Sequence, residues 1–264
     1  PARSRPRAPR TTSARHDVPK APATTRASTR ATSSATTGAS PSPSPALSGP
    51  VVVLDPGHNG RNADNLSTIN ALVPAGDGKM KPCNSTGTQA NDGYPEHEFN
   101  WSVAERVRAI LEHSGVHVIM TRSDDDGIGP CVNRRAEIGN AVHAAAVVSI
   151  HGDGGVSGHG FHVIRSRDQV GGAAVASDGR RLAEIVHTAM LAESGMTTAT
   201  YINGGTGYDL RTDLAGLNLS TRPSILVECG NMRDAGDAAE MESSAGRSRI
   251  AGAIARGTLT YLGR

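Results

Sequence analysis

The chain has 264 residues and a net charge of +2, enough for one large domain or two small ones. That charge is unevenly spread. Residues 1–49 carry eight Lys/Arg against the single acid Asp17, a net of +7, which leaves the remainder near −5, so the basic balance says nothing about a folded domain. The composition also excludes a membrane span, since no apolar run is long enough, and no signal-peptide core is visible.

In chain order, residues 1–49 come first. They hold no Phe, Trp or Tyr and are dominated by Ala, Ser, Thr, Pro and Arg. Such a segment cannot bury enough apolar surface to offset its ordering entropy, and it reads as a disordered basic tail or linker. Without aromatics for stacking or a folded motif, it gives no specific nucleic-acid site; a solvated linker or loose electrostatic tether is the simpler reading. From residue 50 the pattern alternates strand and helix. VVVLD (51–55) is a buried strand, followed by an irregular Asn/Gly/Pro-rich stretch over 59–95. EFNWSVAERVRAILEHSG reads as a helix with Val103, Val107, Ile110 and Leu111 on one face and Gly115 as its stop. VHVIMTR (116–122) is a strand, 132–143 a helix, AAAVVSIHGD a strand centred on 145–150, and GFHVIRS (160–166) another strand. SDGRRLAEIVHTAMLAESG opens on a Ser/Asp cap as an amphipathic helix, SILVECGN (224–231) is a strand, and 238–262 forms one closing helix. Strands separated by helices predict a single α/β domain over 50–264, with a mostly parallel twisted sheet flanked by helices on both faces.

Ligands of such sheets gather beyond the carboxyl ends of the strands. His58 follows the strand 51–55, His151 follows 145–150, and Glu228 lies late in 224–228, so three chemically competent side chains share one sheet edge. Two imidazoles supply part of a catalytic zinc site, which uses three protein ligands and leaves a position for water. A third ligand comes from the start of the long helix, where Glu96, His97 and Glu98 all qualify; an acid there also suits the helix dipole. Glu228 interrupts the run ILVECG, where an unpaired buried acid is costly, and beside a metal it would serve as a base. Its alternative is a buried pair with Arg134 or Arg135. Cys229 points to the opposite face of that strand and belongs to the core. His162, alternating with Phe161 and Val163, could face the site, while His113, His117, His143 and His187 read as packing or surface residues. Cys83 and Cys131 lie in Gly/Pro/Asn-rich loops. Bridged, they would stabilise the fold by roughly 4 kcal/mol in the chain-entropy model and mark an oxidising compartment. Three free thiols are the alternative that spacing alone leaves open.

The ordered segments LDPGHNG, EHEFNW, VIMTR, RRAEIGNAV leading into VVSIHGD, and SILVECGNM cover essentially all of residues 50–262. Together they resemble the zinc-dependent N-acetylmuramoyl-L-alanine amidases of the type 3 family, which cut peptidoglycan. The insert around Cys83, NDGYPEH and GPCVNRR is similar to the mycobacterial periplasmic members. The resemblance implies a Zn²⁺ held by His58, Glu96 and His151, Glu228 as the catalytic glutamate, and a Cys83–Cys131 disulfide. It also implies a secreted, periplasmic or cell-wall setting and a peptidoglycan or muropeptide substrate; a monomer is expected. Gly152 stands where the family usually has Ala, and Cys229 where it usually has Leu; neither alters a ligand. Arg135 is a candidate to hold a stem-peptide carboxylate, with a structural ion pair as its alternative. A zinc peptidase cutting elsewhere in the stem and a cell-wall-binding module without turnover are the rival readings. Residues 77–93 are expected to gate the site, so that deleting them would raise turnover.

Overall fold

The computed structural model describes residues 49–167 and 169–264; the tail read over 1–49 lies, Gly49 apart, outside the described residues. In chain order the elements are β1 (Val51–Pro56), α1 (Leu66–Ile69), β2 (Leu72–Gly76), β3 (Lys79–Pro82), α2 (Glu96–His113), β4 (His117–Met120), α3 (Val132–Ala141) and β5 (Ala146–Asp153). Then come β6 (His162–Ser166), α4 (Gly172–Glu193), β7 (Tyr208–Arg211), α5 (Ala215–Asn218), β8 (Ser224–Asn231), α6 (Ala235–Glu242) and α7 (Ser244–Tyr261). Six strands form one sheet in the order β4-β1-β5-β8-β6-β7, and β2 pairs with β3 in a separate hairpin. The first four strands of that order run parallel. β6 runs antiparallel to β8 and parallel to β7, the single reversal in an otherwise parallel sheet.

Side chains alternate across a strand, so each strand writes two faces at once. On one face Val52, Leu54, Val148, Ile150, Val163, Ile225, Val227 and Cys229 join a single large core with Phe99, Val103, Val107 and Leu111 of α2, Leu182, Val186 and Met190 of α4, and Ile250 and Ile254 of α7. Gly257 lets α7 approach α4 closely, since a Cβ there would sit 2.8 Å from the Val186 Cα. The other face holds two small clusters: Val53 and Val147 under Ile138 of α3, and Ile164 and Leu226 under Leu217 of α5. Helices thus flank both faces, but unequally.

Four features differ from the reading of the sequence. Helix α4 starts at Gly172, ahead of Ser177 and Asp178, because Ala173, Ala174 and Ala176 extend it backward as good helix formers. The closing helix is two: Ser243 leaves the helical region at φ −75°, ψ 139°, and its hydroxyl accepts from the Gly246 amide to cap α7. The irregular stretch contains the β2–β3 hairpin, and β7 adds an edge strand. Among the described residues no helix is long and apolar enough to cross a membrane.

Candidate active site

The turn after β1 is fixed by the Gly57 amide, which donates to the Ile150 carbonyl at 3.0 Å. A side chain at Gly57 would displace the His151 ring, since a Cβ there would lie 2.1 Å from it. His58 follows in the left-handed region at φ 59°, a conformation that needs outside support. That support comes from both ends: its Nδ1 lies 3.1 Å from the Ser85 carbonyl, and its own carbonyl accepts from Arg135 Nη2 at 2.7 Å. Glu96 opens α2 directly after Pro95, its Oε2 accepting from the Thr88 amide at 2.8 Å. Its Oε1 then faces inward, 3.1 Å from His58 Nε2 and 2.8 Å from His151 Nδ1, and also accepts from Asn100 Nδ2 one turn along the helix at 3.3 Å. One ligand atom from each of His58, Glu96 and His151 lies within 4.8 Å of the other two, a group able to hold a metal ion. Of the neighbouring candidates, Glu98 is exposed to solvent and His97 turns away, its Nδ1 2.7 Å from Asp125 Oδ2.

Glu228 on β8 is in register with His151 on β5 and with His162 on β6, so the three occupy adjacent positions on the sparsely covered face. Its Oε2 is buried with no hydrogen-bond partner among the described residues. Neither arginine weighed as its partner reaches it: Arg134 pairs with Glu137, and Arg135 with Asp55. Burial first, then the negative charges of Glu96 and Asp153, push its carboxyl well above the usual range. Glu96 goes the other way. Burial alone would raise it, but the His58 charge and hydrogen bonds from His151 and His58 hold it well below the usual range. Two carboxylates driven apart by their surroundings are the usual sign of a base and a ligand or counter-charge sharing one site. His162 is buried, with an unpartnered Nδ1 and its ring set edge-on to Tyr201 at 6.1 Å between centroids.

Arg135 takes the structural role. Its five N–H groups all go to protein acceptors: Nε to the Pro130 carbonyl, Nη1 to Asp55 Oδ1 and the Pro56 carbonyl, and Nη2 to the His58 and Gly129 carbonyls, at 2.6–3.0 Å. None remains for a stem-peptide carboxylate: contrary to the substrate-binding role expected of Arg135, its guanidinium is taken up within the fold. Asp55 also accepts from Thr121 and Ser149 at 2.6 Å each. Burial would raise its carboxyl, but the Arg135 charge and these hydrogen bonds hold it at about 2. The sequence reading did not single out Asp55, although an acid two positions beyond Val53 on the same face carries the same signal as Glu228. It also missed Asp153, whose Oδ2 accepts from Tyr201 Oη at 2.8 Å.

A cavity of about 680 Å³ opens over this face, reaching from His58, Glu96, His151 and Glu228 to Val132 and Leu217. One wall comes from the segment 84–89, which follows the disulfide between Cys83 and Cys131. Ser85 and Thr88 within it orient His58 and Glu96. Deleting the second half of the 77–93 segment would therefore also remove the groups that orient His58 and Glu96. Gly87 is part of the same fit, since at φ 82° a Cβ would meet Glu96 Oε2 at 2.9 Å.

Imidazoles and carboxylates gathered beyond the strand ends of a mostly parallel sheet, one carboxylate left unpartnered beside a cavity, define a class: an α/β hydrolytic enzyme site. A family model described as N-acetylmuramoyl-L-alanine amidase matches residues 52–260, and the chain belongs to that family. An N-acetylmuramoyl-L-alanine amidase of Mycobacterium tuberculosis is 45% identical over 217 residues, covering 82% of this chain and 88% of the relative. Among solved structures, the amidase Ami1 of Mycobacterium smegmatis matches with a TM-score of 0.77 at 45% identity, covering 82% of this chain and 98% of that one. The apo form of Ami1 from Mycobacterium abscessus matches with a TM-score of 0.76 at 48% identity, covering 81% and 99%.

Proposed function

We propose that this chain is a zinc-dependent amidase that hydrolyses the bond between the lactyl group of N-acetylmuramic acid and L-alanine in peptidoglycan or its fragments. The observation that carries the reading is the convergence of His58, Glu96 and His151 beside the unpartnered Glu228. The donor set fits the ion. It offers two imidazole nitrogens and one carboxylate oxygen, and the far atoms of His58 and Glu96 are tied to Ser85 and Thr88, which leaves their near atoms turned inward. Zn²⁺ bound by these three residues would polarise the scissile carbonyl and acidify water. Glu228 takes the proton of the attacking water on its free Oε2 and returns it to the departing alanine amine. Arg135 keeps the His58 backbone in its strained conformation, so it acts on the site through His58. The Cys83–Cys131 disulfide supports a secreted, periplasmic or cell-wall setting, with residues 50–264 as the catalytic domain and the basic tail as a linker or tether.

Mass spectrometry of products from muramoyl-dipeptide and from purified peptidoglycan, with chelator and after zinc is restored, tests the reading. The expected result is chelator-sensitive release of peptide with a free L-alanine amine beside intact N-acetylmuramic acid. Cleavage at another amide would make the enzyme a stem peptidase, and chelator-insensitive cleavage would remove the metal from the reaction.

A further inference from the structure

With Arg135 committed, the charged groups around the cavity can be followed one by one. Asp55 is paired with Arg135, and Glu96 lies between the two histidines. Asp153 accepts from Tyr201, and Lys81 Nζ donates to the Asp213 carbonyl at 2.8 Å. Two charged side chains of the lining remain: Glu228, already given a role, and Arg233. Arg233 is exposed, and among the described residues its guanidinium has no hydrogen-bond or ion-pair partner. Its backbone, by contrast, is held firmly. The Arg233 amide donates to Asn231 Oδ1 at 3.0 Å, its carbonyl accepts from Asn91 Nδ2 at 3.1 Å, and the preceding Met232 amide donates to the Asp153 carbonyl at 2.8 Å. A fixed backbone thus presents an unused, permanently charged fork to a cavity whose other lining charges are satisfied or acidic.

The leaving part of the proposed substrate is a peptide, and it carries carboxylates that neither the acidic wall nor the metal-ligand cluster is built to receive. We propose that Arg233 is a specificity-determining residue of this cavity, its guanidinium receiving a carboxylate of the stem peptide beyond L-alanine. The inference rests on the amidase reading and deepens it: free-acid stems are preferred over amidated ones.

The test is steady-state hydrolysis of N-acetylmuramoyl-L-alanyl-D-glutamate with both carboxylates free, against the same compound with both amidated, using the full chain and the variants Arg233→Gln and Arg233→Lys. The unmodified enzyme should favour the free acid by roughly five- to tenfold in kcat/KM, carried by KM, the small end of a charge-assisted contact because Arg233 stands in water. Arg233→Gln should bring the ratio to about one while leaving kcat on the amidated compound within about twofold, and Arg233→Lys should retain part of the preference. The two mono-amidated compounds then assign the preference to the α- or the γ-carboxylate. Equal hydrolysis of both compounds by the unmodified enzyme, or a preference that survives in Arg233→Gln, overturns the inference and leaves the amidase reading standing. Release of no L-alanine amine from either compound overturns both.

Discussion

The two faces of the central sheet are made from the same strands and do different work. On the face under α2, α4 and α7, residues 52, 54, 148, 150, 225, 227 and 229 are fully buried apolar side chains in one continuous core. Each contributes about 1.5–3 kcal/mol by leaving water. On the opposite face, positions 55, 149, 151, 153 and 228 are polar or ionisable, and the apolar residues beside them form only two small clusters. Burying charge there contributes little or costs stability unless every partner is present. The domain is thus held together from one side and does its chemistry on the other. A single register decides which is which, because a slip of one residue would exchange them.

Four experiments bear on that division. The largest effect should come from Glu228→Gln, which keeps the shape and removes the base: turnover on muramoyl-dipeptide should fall about 10²- to 10⁴-fold. Its urea midpoint should stay level or rise, because a carboxyl buried without a partner has gone; a less stable but active variant would give Glu228 to the structural side. Arg135→Met should cost about 3–5 kcal/mol in urea unfolding, since it strands Asp55 as an uncompensated buried charge. A loss below about 1 kcal/mol would mean that the chemical face contributes nothing to holding the fold. Adjacent valines on β5 give a direct contrast. Val148→Ala on the packed face should lower stability by about 2–3 kcal/mol, and Val147→Ala, which borders the cavity, by about 1 kcal/mol; equal losses would erase the distinction. The smallest effect is with pH. Asp55 is held at about 2 against an ordinary 3.8, so its contribution is complete above pH 3.8 and disappears as the pH falls through about 2. Unfolding free energies from urea titrations at pH 5 and pH 2.5 should differ by up to about 2 kcal/mol from this group, and Asp55→Asn should lack that part of the slope.

Much of this division is legible in the letters alone. Alternation in VVVLDP and AVVSIHGD separates the core positions from those at the strand ends, and the carboxyl-end rule then gathers His58, His151 and Glu228. What stays hidden depends on distant partners. Nothing local distinguishes Glu96 from His97 or Glu98; Thr88, eight residues back in the chain, selects it by binding its second oxygen. The break at Ser243 is invisible to a periodicity that continues on both sides, and it appears only as Ser243 turning to cap the next helix. Gly152 and Cys229 have a common physical setting: a Cβ at Gly152 would meet Met241 and Met232, which share the large core with Cys229. The small residue on one strand and the sulfur-rich packing around it belong together, and no single position reveals that.

Arg134 and Arg135 are the same letter written twice, yet they bind the chain to very different degrees. Arg134 lies in water against Glu137, where a lysine would serve as well. Arg135 joins three separate stretches of backbone, 55–58, 129–130 and its own helix, through acceptors spread around a flat fork. An ammonium radiates its three N–H groups from one point and cannot span them. A chain drifting through neutral substitutions can therefore trade Arg134 freely, but at position 135 the commonest exchange among basic residues is closed to it.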